Sequence, residues 1–485
     1  MNRATILTQL KKTAFNAKIY LEDAPPRIQL FFVANLLKLA GAVAIGLASF
    51  LNFQSLGALT GPIIFLWLCS MLAVATPQVD AWLTASRRWL KPAYRLSVTT
   101  LAIVMSVEIL AVSAVMTWSA IDRTSLPPAA QAIKDAFEPS DAIAFNVQAA
   151  ENLLSGQNPY AHANIITALD ASPEAYGEIT PLRTGVFADS FPYPTNEELK
   201  NLWHGAIANP EVIPPEIESR YNYPAGSFLL LAPFMAIGIS DLRLVLLIFL
   251  LPILFYAVLR LPSHRRWYLV LGVLLAVELW NALFDGDTKL LCLLPILAGY
   301  LMVPRRLWLS AILMGIAAAT RQTAWFFLPF YLILIWQTVG WRPALRSGII
   351  IGAVFLIANA PFIAADPTLW ISSVTAPMTS EMFPMGAGII TLVTAWGIPL
   401  DWPALFTALE IAALAGGILW YLRHAQRYPH AGLILAVIPL FFAWRSLWSY
   451  FYFVDIVLLS VILSQKSFQI AEPPPLPEDQ SAVAA

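Results

Sequence analysis

Apolar runs alternate with short basic clusters along almost the whole chain, and one polar insertion, 120–224, interrupts them. The first runs cover about 28–51, 58–76 and 97–119. After the insertion they follow at 225–239, 242–260, 267–284, 288–303, 307–320, 324–338, 346–364, 386–398, 402–422, 431–446 and 449–464. Several fall short of the ~20 residues a helix needs to cross a bilayer. Within the insertion, Ile143, Val147, Ala150 and Leu154 recur at helical spacing, so Ser140–Ser155 predicts a short amphipathic helix at the membrane interface. Gly156 and Asn158-Pro159 end it.

Composition makes the solvent plain. Of 485 residues, 58% are hydrophobic and only 12% charged, with mean hydropathy +0.67. Soluble domains carry about 25% charged residues, so the chain reads as an all-α polytopic membrane protein. The net charge of −1 gives no case for nucleic acid as a partner. Cys69 and Cys292 both lie in apolar runs and read as packing residues. No cleavable signal peptide is evident before the first apolar run.

Basic clusters orient the chain. Arg87, Arg88, Lys91 and Arg95, then Arg260, Arg265 and Arg266, Arg305 and Arg306, Arg342 and Arg346, and Arg423 and Arg427 all belong inside by the positive-inside rule. Satisfying every cluster requires that 225–239 and 386–398 do not cross. That predicts about 12 spans, and up to 14 if both cross, with both termini cytoplasmic and the insertion on the outer face. Five regions follow: a cytoplasmic amphipathic segment 1–27; two helices and a basic loop over 28–96; a module over 97–340 containing the outer loop 120–224; C-terminal helices over 341–466; and a disordered tail over 467–485. In the loop, Tyr176, Phe187, Phe191, Tyr193 and Trp203 predict an ordered subdomain.

Few residues carry candidate chemistry. Asp141 opens the amphipathic helix, either as part of its cap or as a carboxylate poised to accept a proton. Gln148 and Asn152 lie on the helix's polar face. Tyr221 and Tyr223 precede an apolar run, as interface aromatics or as a substrate lining. Asp285, Asp287 and Lys289 sit between two apolar runs, as a polar hairpin or as part of a site. Arg321-Gln322 breaks an otherwise apolar stretch from 307 to 338, and Arg445 stands among apolar residues. A cation at such depth is costly and suits an anionic head group such as a lipid phosphate, with snorkelling to the interface as the alternative. The five histidines show no metal-ligand spacing, and neither a glycine-rich phosphate loop nor a nucleophile elbow is present, so no metal or cofactor is expected.

These residues fall in a familiar order. Asp141, Ala149-Ala150 and Leu153-Leu154-Ser155-Gly156-Gln157-Asn158-Pro159-Tyr160 resemble a segment of the GT-C membrane glycosyltransferases, most closely glycosyltransferase family 87. Tyr221-Asn222-Tyr223-Pro224 resembles that family's Y-x-Y-P-P, with Ala225 replacing the second proline. Gly286-Asp287-Thr288-Lys289 resembles its G-Q-x-N segment in the glycine alone. Met314–Thr323 resembles a further segment, with Arg321 in place of lysine and Ala324 in place of proline. The resemblance covers about 97–340, with two additional spans before it.

The resemblance implies an inverting transfer of a mannose-like sugar from a polyprenyl-phosphate donor to a lipid or glycan acceptor. It would occur on the outer face of a cell membrane, here a bacterial inner membrane. Asp141 would be the base, and Arg321, with Arg445 and Lys289, would hold the phosphate. Gln148, Asn152, Asn158, Tyr160, Tyr221, Tyr223, Asp285, Asp287 and Gln322 would line the substrates. Competing readings are a transporter or lipid flippase, or a polysaccharide polymerase or ligase using polyprenyl diphosphates. The absence of a visible internal repeat weighs against the transporter.

Overall fold

The structure is a computed structural model that describes residues 24–51, 57–121, 140–173, 175–239 and 241–465. Residues 1–23, part of the outer loop and the tail after 465, for which surface and disordered segments were expected, lie outside the described residues.

Helices account for nearly all regular structure. Pro26–Leu51 (α1), Thr60–Val74 (α2) and Arg87–Ile121 (α3) form an N-terminal group. The expected loop 77–95 is itself largely helical: Val79–Ala85 is a short helix, and α3 begins at Arg87. Asp141–Leu154 (α4) and Asn196–Ile207 (α5) belong to the long insertion. Then come Gly226–Ala236 (α6), Leu242–Arg260 (α7), Ser263–Leu274 (α8), Val277–Phe284 (α9), Leu290–Met302 (α10), Leu307–Thr320 (α11) and Phe327–Thr338 (α12). Trp341–Ala365 (α13), Pro367–Val374 (α14), Pro403–His424 (α15), Ala431–Leu435 (α16), Ile438–Phe441 (α17) and Val454–Ser464 (α18) complete the series. Met385–Gly386 (β1) and Arg445–Ser446 (β2) pair in parallel.

Among the described residues, five helices are long and apolar enough to cross a membrane, or six if α8 and α9, bent by 53° at their break, count as one. Of the twelve or more expected spans, these five or six are the ones whose single helices have the length and apolar character to cross. Several apolar runs fold as helices of 11 to 15 residues instead. At 1.5 Å per residue these reach about 16–22 Å, against a hydrocarbon core of about 30 Å. Neither 225–239 nor 386–398 forms a helix long enough to cross by itself: the first holds the 11-residue α6, and the second holds the end of β1 and a four-residue helix, Thr391–Thr394.

The core is continuous through the N-terminal group, α6 to α12 and α18. The outer faces of α7, α13 and α15 stay apolar and exposed, as at Phe255, Ile357 and Ile411. In water such faces would be covered, and in lipid they need no cover.

The described part of the insertion, 140–173 and 175–224, is a packed layer. Trp203 is fully buried and its indole donates to the Ser172 carbonyl at 2.7 Å. Thr195 and Glu198 form a capping box at the start of α5. Leu182 bridges to Met382, and Arg183 donates to Asp401 through Nη1 and Nη2 at 2.7 and 2.8 Å. The insertion thus covers the segment between α14 and α15.

Candidate active site

The amphipathic helix appears within one residue of its expected bounds, with Ser140 extended before it and Gly156 at φ +76° after it. Its buried face is turned from the expected stripe. Ile143 to Asn146, Ala149 and Ala150 are buried, whereas Leu154 is half exposed. The cause is tertiary: α4 packs on α6, and the buried Tyr221 hydroxyl donates to Asn146 Oδ1 at 2.8 Å. Asp141 occupies the first helical turn. The cap position belongs to Ser140, whose side chain makes no capping bond.

Three chain breaks bring partners to Asp141. The first is the turn between α9 and α10. Gly286 adopts φ +66°, which only glycine takes freely, and a Cβ there would meet Ile143 Cδ1 at 2.6 Å. That close approach lays the turn against α4, two residues from Asp141. Asp287 then accepts the Lys289 backbone N–H at 2.8 Å.

The second break is at Arg321. Helix α11 stops at Thr320, Arg321 is extended (φ −150°, ψ 145°), and a 3₁₀ turn follows. Gly226 makes this join possible, because a Cβ at that position would lie 2.4 Å from the Ala319 carbonyl oxygen. Ser227 Oγ donates to the Thr320 carbonyl at 2.7 Å, and Gln322 Nε2 donates to the Asn222 and Val374 carbonyls at 2.5 and 2.8 Å. Arg321, 7% exposed, donates from Nη1 to Asp287 Oδ1 at 3.2 Å and to Thr288 Oγ1 at 2.6 Å. Its guanidinium lies 4.4 Å from the centroid of the Tyr223 ring.

The third break carries Arg445 on β2. Arg445 Nη2 approaches Met385 Sδ at 3.9 Å, and Nη1 is buried without a hydrogen-bond partner among the described residues. The following turn supplies Ser449, hydrogen-bonded to the Lys289 ammonium, and Tyr450, whose ring centroid is 5.2 Å from that ammonium.

Electrostatics ties the three breaks together. Asp141 keeps some accessible surface, yet burial raises its pKa above the ordinary carboxylate value. The Ala142 N–H and then the charges of Arg445, Arg321 and Lys289 counter that rise. Burial also pushes Asp287 upward, but Lys289 and Arg321 outweigh it and hold Asp287 below its usual value. Burial lowers Lys289 to about 8, with Asp287 opposing and Arg321 assisting. Asp285, across the turn, stands apart from these cations. Burial, then Asp287, Glu178 and Glu108, raise it to about 7. Three cations therefore face two carboxylates, and the cluster is suited to an anion.

Of the residues singled out in the sequence, Asp141, Asp287, Lys289, Arg321, Arg445 and Tyr223 converge. Others support them from behind. Tyr160 donates to the Tyr223 carbonyl at 2.9 Å and packs edge-on against Tyr221. Asn158 Oδ1 accepts the Tyr160 N–H at 3.1 Å. Gln148 and Asn152 are turned away, Gln148 bonding Asn164 and Thr167, and Asn152 the His162 carbonyl. Sequence reasoning missed Tyr193, Ser449 and Tyr450. Tyr193 lies within electrostatic reach of Asp141 and Arg445, and Tyr450 of Arg445, Arg321 and Asp287. The only signal was the polar-aromatic run Trp448–Tyr452 directly after Arg445.

A helical membrane protein in which three cations gather around two carboxylates is the class these observations define. The sequence model of glycosyltransferase family 87 matches residues 221–462, and the chain carries a domain of that family. Glycosyl transfer is the activity the domain implies. The match includes Tyr223, Asp287, Lys289, Arg321 and Arg445, while Asp141 lies before it. No curated protein and no solved structure matches the chain.

Proposed function

We propose that the protein is an inverting glycosyltransferase that moves a hexose or pentose, mannose-like by its resemblance, from a polyprenyl phosphate to a lipid or glycan acceptor. The site would face the extracytoplasmic side of the membrane. The observation that supports this best is the convergence of Arg321, Lys289 and Arg445 on Asp141, with Arg445 Nη1 left unpaired. A buried guanidinium N–H without a partner costs about 1–3 kcal/mol, which a bound phosphate oxygen would relieve.

In this reading the acceptor hydroxyl attacks the anomeric carbon opposite the phosphate, and Asp141 takes its proton. The new C–O bond forms as the bond to phosphate breaks, and the electron pair leaves on the lipid phosphate. That group gains one negative charge, which the preorganised cations stabilise as it develops. The leaving group is already an anion, so no acid need protonate it. Burial keeps Asp141 more basic than a free aspartate, which suits a general base. Much of Arg321 Nη1 is committed to Asp287 and Thr288, so Arg445 has more capacity for the phosphate.

The test is turnover of a radiolabelled polyprenyl-phosphate sugar by the purified protein. Asp141→Asn should cut the rate by about 10²–10⁴-fold. Its thermal stability at neutral pH should hold or rise, because a carboxylate whose pKa is raised by burial is destabilising when ionised. A folded variant with wild-type turnover would remove Asp141 from the chemistry.

A further inference from the structure

Lys38 lies in the middle of α1, within Leu36-Leu37-Lys38-Leu39, and is 1% exposed. A lysine at the centre of a membrane helix is costly, so it needs partners. It has three. Its ammonium forms an ion pair with Glu278, donates to the Phe451 carbonyl at 2.7 Å, and lies 4.3 Å from the centroid of the Trp67 ring. The other Glu278 oxygen accepts the Trp448 indole N–H at 2.9 Å.

Both partners lead into the recess. Glu278 stands at the start of α9, which runs directly into the turn carrying Asp287 and Lys289. Trp448 and Phe451 bound the turn whose Ser449 and Tyr450 contact Lys289. One ammonium therefore joins the two segments that hold Lys289 in place. Phe453, just beyond, has φ +62°, a left-handed conformation that is strained for a non-glycine residue and persists only where neighbours hold it. A cavity lined by Asn35, Lys38, Leu101, Glu278, Phe453 and Asp455 adjoins the ion pair. Asp455 lies within electrostatic reach of Glu278 and lines the same cavity.

We infer that Lys38, outside the family-matched region, is a positioning residue for the anion-holding face of the site, acting through Glu278 and the Trp448–Phe451 turn. The inference rests on the reading of Lys289 as part of the phosphate grip. It gives the N-terminal helices a role in the chemistry that their place before the matched region does not suggest. Glu108 of α3 faces Asn281, three residues beyond Glu278, so a second N-terminal helix meets α9.

Three variants test it: Lys38→Met, the double variant Lys38→Met/Glu278→Gln, and Trp448→Phe, which removes the indole N–H and leaves a smaller aromatic ring. Each is measured for thermal unfolding, for kcat and KM with a polyprenyl-phosphate sugar, and for competition by farnesyl phosphate. Lys38→Met should lower stability by stranding a buried carboxylate, and the neutral double variant should regain much of it. The donor KM and the farnesyl phosphate concentration for half-inhibition should rise about tenfold in the double variant and about threefold in Trp448→Phe, with acceptor KM unchanged. If the double variant regains wild-type donor KM along with its stability, the ion pair is structural only and the inference is overturned. If wild-type protein neither turns over the donor nor is stabilised by farnesyl phosphate, the reading of the site fails first and takes this inference with it.

Discussion

Replacing Asp287 with asparagine strips the recess of the carboxylate that its cations share. Asp287 Oδ1 lies 3.2 Å from Arg321 Nη1, and Oδ2 lies 3.5 Å from Lys289 Nζ. The three side chains are only 9–16% exposed, so solvent screening is weak. At an effective dielectric constant of ~20, each attraction is worth about 5 kcal/mol before desolvation is counted. Most of that repays burial of the charges, and removing one member of a buried pair leaves a net loss of about 3–5 kcal/mol. The asparagine oxygen can still accept the Lys289 backbone N–H, so the turn itself should survive and the loss should sit near 3 kcal/mol. The variant should therefore unfold at lower temperature than wild type. An anion should compensate: farnesyl phosphate should raise its unfolding temperature by more than it raises that of wild type, because two cations now lack a counter-charge. Thermal unfolding of detergent-purified protein across a farnesyl phosphate series measures both effects. If Asp287→Asn unfolds with wild-type protein and gains no more from the ligand, Asp287 does not organise the cations and the electrostatic account of the recess is wrong.

Donor turnover should follow a bell-shaped pH profile. On the acid side, the rate should fall as Asp141 protonates, with a midpoint above the ordinary aspartate value because burial raises that carboxyl. On the alkaline side, Lys289 loses its proton near pH 8, so the donor KM should rise from there; a flat donor KM through pH 9.5 would exclude a role for the Lys289 charge. Gln148→Leu breaks three hydrogen bonds to Asn164 and Thr167 and should cost about 2 kcal/mol of stability while leaving donor KM intact. A stable Gln148→Leu protein with a raised donor KM would instead place Gln148 beside the substrate.

The helical pattern of α4, the polar turn around Asp287 and the interrupted apolar stretch at Arg321 were each visible as departures from a lipid-compatible background. Such departures are legible because charge in hydrocarbon is costly and is kept only for a reason. The pattern was less reliable for whole spans. An apolar run reports that a segment is buried, but protein and lipid bury it alike, so runs that fold as broken or short helices look the same as full crossings. The face of α4 was misjudged for the same reason: Asn146 reads as polar, yet it is buried because Tyr221, 75 residues away, meets it.

What the sequence determined alone was the solvent, the helical class, the order of the motifs and the residue types capable of holding an anion. These depend on local composition and spacing. The pairing of Asp287 with Arg321, the contact of Lys289 with Ser449 and Tyr450, the open donor on Arg445 and the reach of Lys38 to Glu278 were decided only by tertiary structure. Each joins residues separated by 34 to 240 positions or depends on such a join. No local propensity encodes which of several costly buried charges will meet. For Asp287 and Arg321 the close approaches at Gly286 and Gly226 help settle it, where the missing side chains let Ile143 and the Ala319 carbonyl come near.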